Sequence, residues 1–139
     1  MPGIQVTFDT TDPHKQAKFW SQALGYEVED NGDYVDNLVA TGALPEEARV
    51  KVDGVSAFRD VAACRDPEGA GPRLFFQVVP EEKTAKNRVH LDIPVPADRR
   101  KAESDRLIEL GATLLWITDD RGPETYTLQD PEGNEFCLH

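Results

Sequence analysis

The sequence is poor in cysteine. Cys64 and Cys137 are its two thiols, too few for a disulfide scaffold, and a reduced, cytoplasmic setting is the simplest account. Positive charge is scarce too: 15 Lys and Arg stand against 26 Asp and Glu, a formal charge of −11. Such a surface repels phosphate backbones, so nucleic acid is not an expected partner. It suits a cationic ligand, although solubility alone accounts for it. No run approaches the ~18 uninterrupted apolar residues of a membrane helix, and no membrane partner is expected. Met1-Pro2-Gly3-Ile4 has neither a basic region nor an apolar core, so it does not read as a secretory signal. There is no phosphate-cradling glycine loop, no Ser-His-Asp motif and no CxxC. Nucleotide hydrolysis, serine hydrolysis and zinc-finger roles therefore have no support.

What is present is a modest core and an internal repeat. The 139 residues predict one domain, or two small halves sharing one core. A chain of this size can bury roughly 68% of its unfolded surface. Hydrophobic residues at 39% and aromatics at 8% exclude a disordered chain. Asp66-Pro67-Glu68-Gly69 recurs as Asp130-Pro131-Glu132-Gly133, and Val6-Thr7-Phe8-Asp9 has a partner in Val89-His90-Leu91-Asp92. Gly25 and Gly111 each close a helical pattern. Strand, helix and turn thus come twice, in the same order.

In the first half, Ile4 to Asp9 alternates at strand period, with Val6 and Phe8 on one side and Gln5, Thr7 and Asp9 on the other. Asp12-Pro13 starts a helix, as N-cap and first helical residue. Ala17, Trp20, Ala23 and Leu24 share its apolar face, and Gly25 ends it. Tyr26 to Glu29 reads as a strand and Asn31-Gly32 as a turn. Residues 34–57 read as an insertion carrying a short helix or two. Phe58 to Cys64 and Arg73 to Val79 follow as strands.

Residues 81–87 read as a linker between module 1 (1–80) and module 2 (88–139). The second module opens with Arg88 to Ile93, placing Val89, Leu91 and Ile93 on one face and Arg88, His90 and Asp92 on the other. Asp98 to Leu110 is an amphipathic helix. Thr113 to Ile117, Thr125 to Gln129 and Asn134 to Leu138 are strands. The expected class is α+β: two tandem βαβββ modules forming a curved mixed sheet around a cavity. Burying the polar strand faces without partners is costly, so they are expected to line that cavity.

These features resemble the vicinal oxygen chelate superfamily of glyoxalase I, extradiol dioxygenases and bleomycin-resistance proteins. The markers are the opening strand with Thr11-Asp12-Pro13, then Phe19-Trp20 through Leu24-Gly25-Tyr26, the two Asp-Pro-Glu-Gly turns, and Gly133-Asn134-Glu135-Phe136. Lys83 to Asp92 is similar to the glyoxalase-like branch common in actinobacteria. The resemblance spans nearly the whole chain and implies a homodimer. It also implies four metal-ligand positions, which fall by register on Gln5, Gln77, Arg88 and Cys137. Arg88 has no lone pair to give and would repel a divalent ion. Cys137 would be a lone soft ligand. No metal or other cofactor is therefore expected, with a divalent metal as the alternative. A rearranged set of His90, Glu135, Cys137 and His139 is the competing arrangement.

The expected ligand-binding set is Gln5, Thr7, Gln77, Arg88, His90, Trp116, Tyr126 and Cys137. Arg88 can clamp an anion in two-pronged fashion or salt-bridge Asp9 or Asp92. His90 is the candidate acid or base near neutral pH. Trp116 and Tyr126 can stack a flat ligand or pack in the core. The leading expectation is a small-molecule-binding protein with a metal-free cavity, acting by sequestration or resistance. A metal-dependent lyase, isomerase or dioxygenase, or metal-free acid–base catalysis by His90, is the alternative. The net charge favours a cationic ligand and Arg88 an anionic one.

Overall fold

Alternation in the opening residues gives β1 (Gln5–Thr10), whose apolar Val6 and Phe8 turn towards the helix that follows. The computed structural model describes residues 3–120 and 122–139; Met1 and Pro2, read above as part of a non-secretory start, lie outside them. Asp12 caps α1 (Pro13–Leu24) by accepting the Lys15 N–H at 3.1 Å, and Gly25 ends it in the left-handed region at φ 70°. Trp20 of α1 meets Phe8 with ring centroids 5.5 Å apart, and Phe8 meets Phe76 at 5.1 Å. Trp20, Leu74 and Phe76 are almost wholly buried. Each such burial is worth about 1.5–3 kcal/mol, so this stack holds α1 to the sheet.

The first unit runs through Pro80. Its sheet joins β1, β6 (Arg73–Val78), β5 (Val61–Arg65) and β2 (Glu27–Val28) in that order. β1 and β6 pair in parallel, Asp9 beside Gln77. Between β2 and β5 lie α2 (Gly32–Ala40), a short 3-10 turn (Glu46–Ala48) and a hairpin of β3 (Arg49–Val52) and β4 (Val55–Phe58). Two expectations change here. Asn31-Gly32 opens α2 instead of forming a hairpin turn, because Asp30 accepts the Gly32 N–H at 2.8 Å. The insertion holds one α-helix and a strand hairpin, and Phe58 ends β4, separate from β5.

The second unit starts at Glu81. Its sheet joins β7 (Leu91–Ile93), β10 (Glu135–Leu138), β9 (Thr125–Gln129) and β8 (Thr113–Thr118), with β7 and β10 parallel. α3 (Arg100–Leu110) follows a 3-10 turn and buries Leu107 and Ser104; Ala102 and Ile108, apolar residues of the expected amphipathic helix, remain exposed. The class is α+β; β-α-β-β-β runs through the second unit, and through the four-stranded sheet and α1 of the first once the insertion between β2 and β5 is set aside.

One boundary shifts with consequence. The opening strand of module 2 begins at Leu91, and Arg88, Val89 and His90 precede it in irregular backbone. Val89, expected to face the core, is 81% exposed. Pairing with β10 reaches back only to Leu91, so nothing imposes strand alternation on the three residues before it.

Candidate functional site

In a β-ladder, directly paired residues project from the same face. On the second sheet, pairing aligns Asp92, Cys137, Thr127 and Trp116 in one row across four strands. The neighbouring row is Ile93, Leu138, Tyr126 and Ile117, on the opposite face. Leu138 and Tyr126 of that row are buried and Ile117 at the sheet edge is exposed; in the first row Asp92 and Trp116 are exposed and Thr127 is buried. The first row carries Asp92, Cys137 and Thr127, the polar side chains of this sheet's centre.

Three donor groups gather on that face. His90 Nδ1 lies 2.9 Å from Asp92 Oδ1, and Cys137 Sγ lies 4.0 Å from the same nitrogen. One donor atom from each of His90, Asp92 and Cys137 fits within a 4.8 Å cluster. The Thr127 hydroxyl, 3.4 Å from Cys137 Sγ, fixes the sulfur from the neighbouring strand. The other thiol is unlike it: Cys64 is fully buried, and burial pushes it up to about 12, helped by the Glu29 charge.

Of the candidates drawn from the sequence, His90 and Cys137 come together. Trp116 stands two strands from Cys137 in the same row, about 10 Å by strand spacing. Arg88 is exposed and makes no ion pair among the described residues. Both of its expected partners are taken, Asp9 by the Gln77 amide at 2.9 Å and Asp92 by His90. Since Arg88 precedes the strand, it does not occupy the ligand register, and the charge argument against a metal loses its premise.

Tyr126 is only 6% exposed and points to the face away from Trp116, so the two aromatics do not form one stacking platform. Glu135 does not join His90 and Cys137. Its carboxylate accepts the Asn87 N–H at 2.9 Å and meets Lys83 at 3.5 Å. His139 continues the parallel ladder through its backbone, bonded to Ile93 and Val95. Asp92, read above as a salt-bridge partner, takes the third place in the cluster. The two-residue spacing from His90 was its signal.

Gln5, Thr7 and Gln77 belong to the first unit. Gln5 donates to the Thr7 hydroxyl at 3.4 Å and accepts from Arg73 at 2.7 Å. Arg73 in turn forks onto Glu29 at 2.9 and 2.6 Å and lies over the Phe75 ring. That fork holds the Glu29 carboxyl below its usual range. Glu29 and Arg73 are 44 residues apart, so no local pattern announces this network.

A model of the glyoxalase-like domain matches residues 5–139. The chain belongs to that family. Solved structures of the same fold include a glyoxalase/bleomycin resistance protein/dioxygenase family enzyme from Burkholderia phytofirmans PsJN, at 15% identity and TM-score 0.64, covering 96% of this chain and 94% of that one. The fosfomycin resistance protein FosX from Mesorhizobium loti is similar at 11% identity and TM-score 0.64, covering 100% and 91%. A FosX mutant from Listeria monocytogenes, complexed with Mn(II) and 1S,2S-dihydroxypropylphosphonic acid, is 12% identical with TM-score 0.63, covering 100% and 90%. The search of curated proteins found no match. For this glyoxalase-like chain, identities this low establish the fold. Its chemistry has to be argued from its own side chains. No helix among the described residues is long and apolar enough to cross a membrane.

Proposed function

We propose that the Asp92–Cys137–Thr127 face of the second module binds a small oxygen-bearing molecule, and that His90, Asp92 and Cys137 form its chemical centre by holding a soft divalent cation. The observation that carries this is the convergence of imidazole nitrogen, carboxylate oxygen and thiol sulfur within 4.8 Å. Three protein donors with one position left open is the pattern of catalytic zinc sites. The sulfur favours zinc over the harder manganese or magnesium. Zinc held there supplies Lewis-acid polarisation of a ligand oxygen.

The chain's own groups do the rest. Thr127 fixes the Cys137 rotamer. Trp116 offers an exposed apolar plane along the same row. The named relatives, which include resistance proteins, support sequestration or resistance as the role. Lyase, isomerase or dioxygenase chemistry is its enzymatic form. The free thiols suit a cytoplasmic setting.

Elemental analysis of chelator-treated protein reconstituted with zinc tests this. About one zinc per chain is expected to survive dialysis, with affinity falling at least about tenfold in His90→Ala and in Asp92→Ala. Zinc is also expected to protect Cys137 from iodoacetamide, a clean readout because buried Cys64 stays protonated. If zinc, nickel, iron, manganese and copper all dialyse away from the wild type, the metal reading falls. The centre would then be the His90–Asp92 pair as a metal-free acid–base group.

A further inference from the structure

The first unit holds a cavity that none of the site candidates lines. It lies on the α1 side of the sheet, at the β5–β2 end, where β3, β4 and the residues between β2 and α2 lean over it. Its volume is about 600 Å³, within the range that encloses much of a small organic ligand. Its apolar lining is left in contact with water. Val28 is 47% exposed and Val55 45%, and Val52, Phe58, Val61 and Ala62 are only partly covered. An apolar body entering the cavity removes that surface from water, which is favourable.

The walls differ in charge. The α1 wall is mixed: it carries Asp12, Lys15 and Lys18, and His14, whose Nε2 lies 2.7 Å from the Phe58 carbonyl oxygen. The other wall, built by the residues between β2 and α2 and by the β3–β4 hairpin, contributes Glu29, Asp30 and Asp53 to the lining and no basic residue. Glu29 is neutralised by Arg73. Asp30 accepts the Gly32 N–H at 2.8 Å, a bond that steadies its carboxylate and leaves the charge in place. Asp53 stands in the hairpin turn at φ 48°. Neither Asp30 nor Asp53 makes an ion pair among the described residues. Both stand at the Val55 end. Val55 Cγ1 and Asp30 Oδ1 lie 2.9 and 3.1 Å from the point a Cβ would take at Gly32, and Asp53 is two residues before Val55. An anion there would face two carboxylates. A cation is attracted by them, and the formal charge of −11 raises the local concentration of cations.

We propose that this cavity is a second binding site, and that it takes a small apolar molecule carrying one protonated amine. The apolar body covers Val28, Val55 and Phe58, and the ammonium head lies on the Asp30–Asp53 wall. This site is independent of the His90–Asp92–Cys137 centre, which belongs to the other unit.

Three probes share one ring system: 2-naphthylmethylamine, protonated at pH 7, its neutral isostere 2-naphthylmethanol, and the anion 2-naphthoate. Titration calorimetry with the full chain is expected to show one saturable amine site per chain. The alcohol is expected to bind about fivefold more weakly, equivalent to ~1 kcal/mol of exposed charge contacts, and the carboxylate more weakly still. Asp30→Asn with Asp53→Asn is expected to bring amine and alcohol to equal affinity. Asparagine keeps the acceptor for the Gly32 N–H and suits the positive φ in the hairpin turn, so the double variant keeps its fold. Ala57→Trp, on the hairpin face of Val52 and Val55, is expected to remove amine and alcohol alike, with circular dichroism reporting the fold. Absence of saturable amine binding overturns the proposal, as does an alcohol or a carboxylate that binds as tightly as the amine. A double aspartate variant that still prefers the amine fivefold overturns it too. Loss of amine binding in His90→Ala would place the probe on the other unit and also overturn it.

Discussion

The carboxylate of Glu135 holds down the segment that delivers His90. It is 7% exposed, accepts the Asn87 N–H and meets Lys83. Burial alone would raise its carboxyl, but the N–H bonds and the lysine charge outweigh it, and the group sits below its ordinary value of 4.5. A carboxyl depressed in the folded state contributes stability that is present above the unfolded value and lost as pH falls through the folded one. Glu135→Gln is therefore expected to cost about 2 kcal/mol at neutral pH. The gap to the wild type should close as pH drops below the ordinary 4.5. Urea unfolding at pH 7 and pH 3 checks this; a gap constant with pH would mean that the charge contributes nothing. The strand spacing put Glu135 on the face of Cys137. It did not show that the linker would claim the carboxylate.

At the scale of elements, the two Asp-Pro-Glu-Gly turns show how one motif is adapted twice. Asp66 accepts the N–H groups of Glu68, Ala70 and Gly71; Asp130 accepts those of Glu132 and Asn134. Gly69 and Gly133 take the positive φ the turn demands. Only the first copy needs a further glycine: a Cβ at Gly71 would collide with the Tyr26 hydroxyl. Gly71→Ala is expected to cost about 1–3 kcal/mol. Combined with Tyr26→Phe it should cost less than the sum of the single changes, because the colliding oxygen is gone. Additive costs in a double-mutant cycle would show that the ring does not touch position 71.

Helices, strands and these turns were legible because period and punctuation are local. Asp12-Pro13, Gly25 and the alternation of Thr125 to Gln129 each carry their own signal. The insertion was read less well. Asn31-Gly32 satisfies a helix start as readily as a turn, and Val50 fits a hairpin once Ala57 is opposite it. For the site, Cys137 is legible from strand register and the His90–Asp92 pair from its two-residue spacing, whereas the place of Arg88 is not, because it lies before the strand begins. Where pairing stops is set by the partner strand, here β10, and not by the residues themselves.

For the whole molecule, the formal charge of −11 sets how copies meet. The homodimer implied by the resemblance is a proposal, and its strength should depend on salt. Two such chains repel through a screening length of about 30 Å at 0.01 M salt and about 8 Å at 0.15 M. Light scattering is expected to show the dimer fraction rising across that range. A single-chain mass at every salt concentration would refute the dimer.

The parallel ladders set Asp9 beside Gln77 and Asp92 beside Cys137 at matching positions. In the first copy the aspartate closes on a neutral amide; in the second the same slot carries imidazole and thiol. One chain thus holds an amide-closed and a thiol-bearing version of the same backbone frame, each built around an aspartate. The duplication supplies the molecule with its own internal reference, against which anything the second copy binds can be measured.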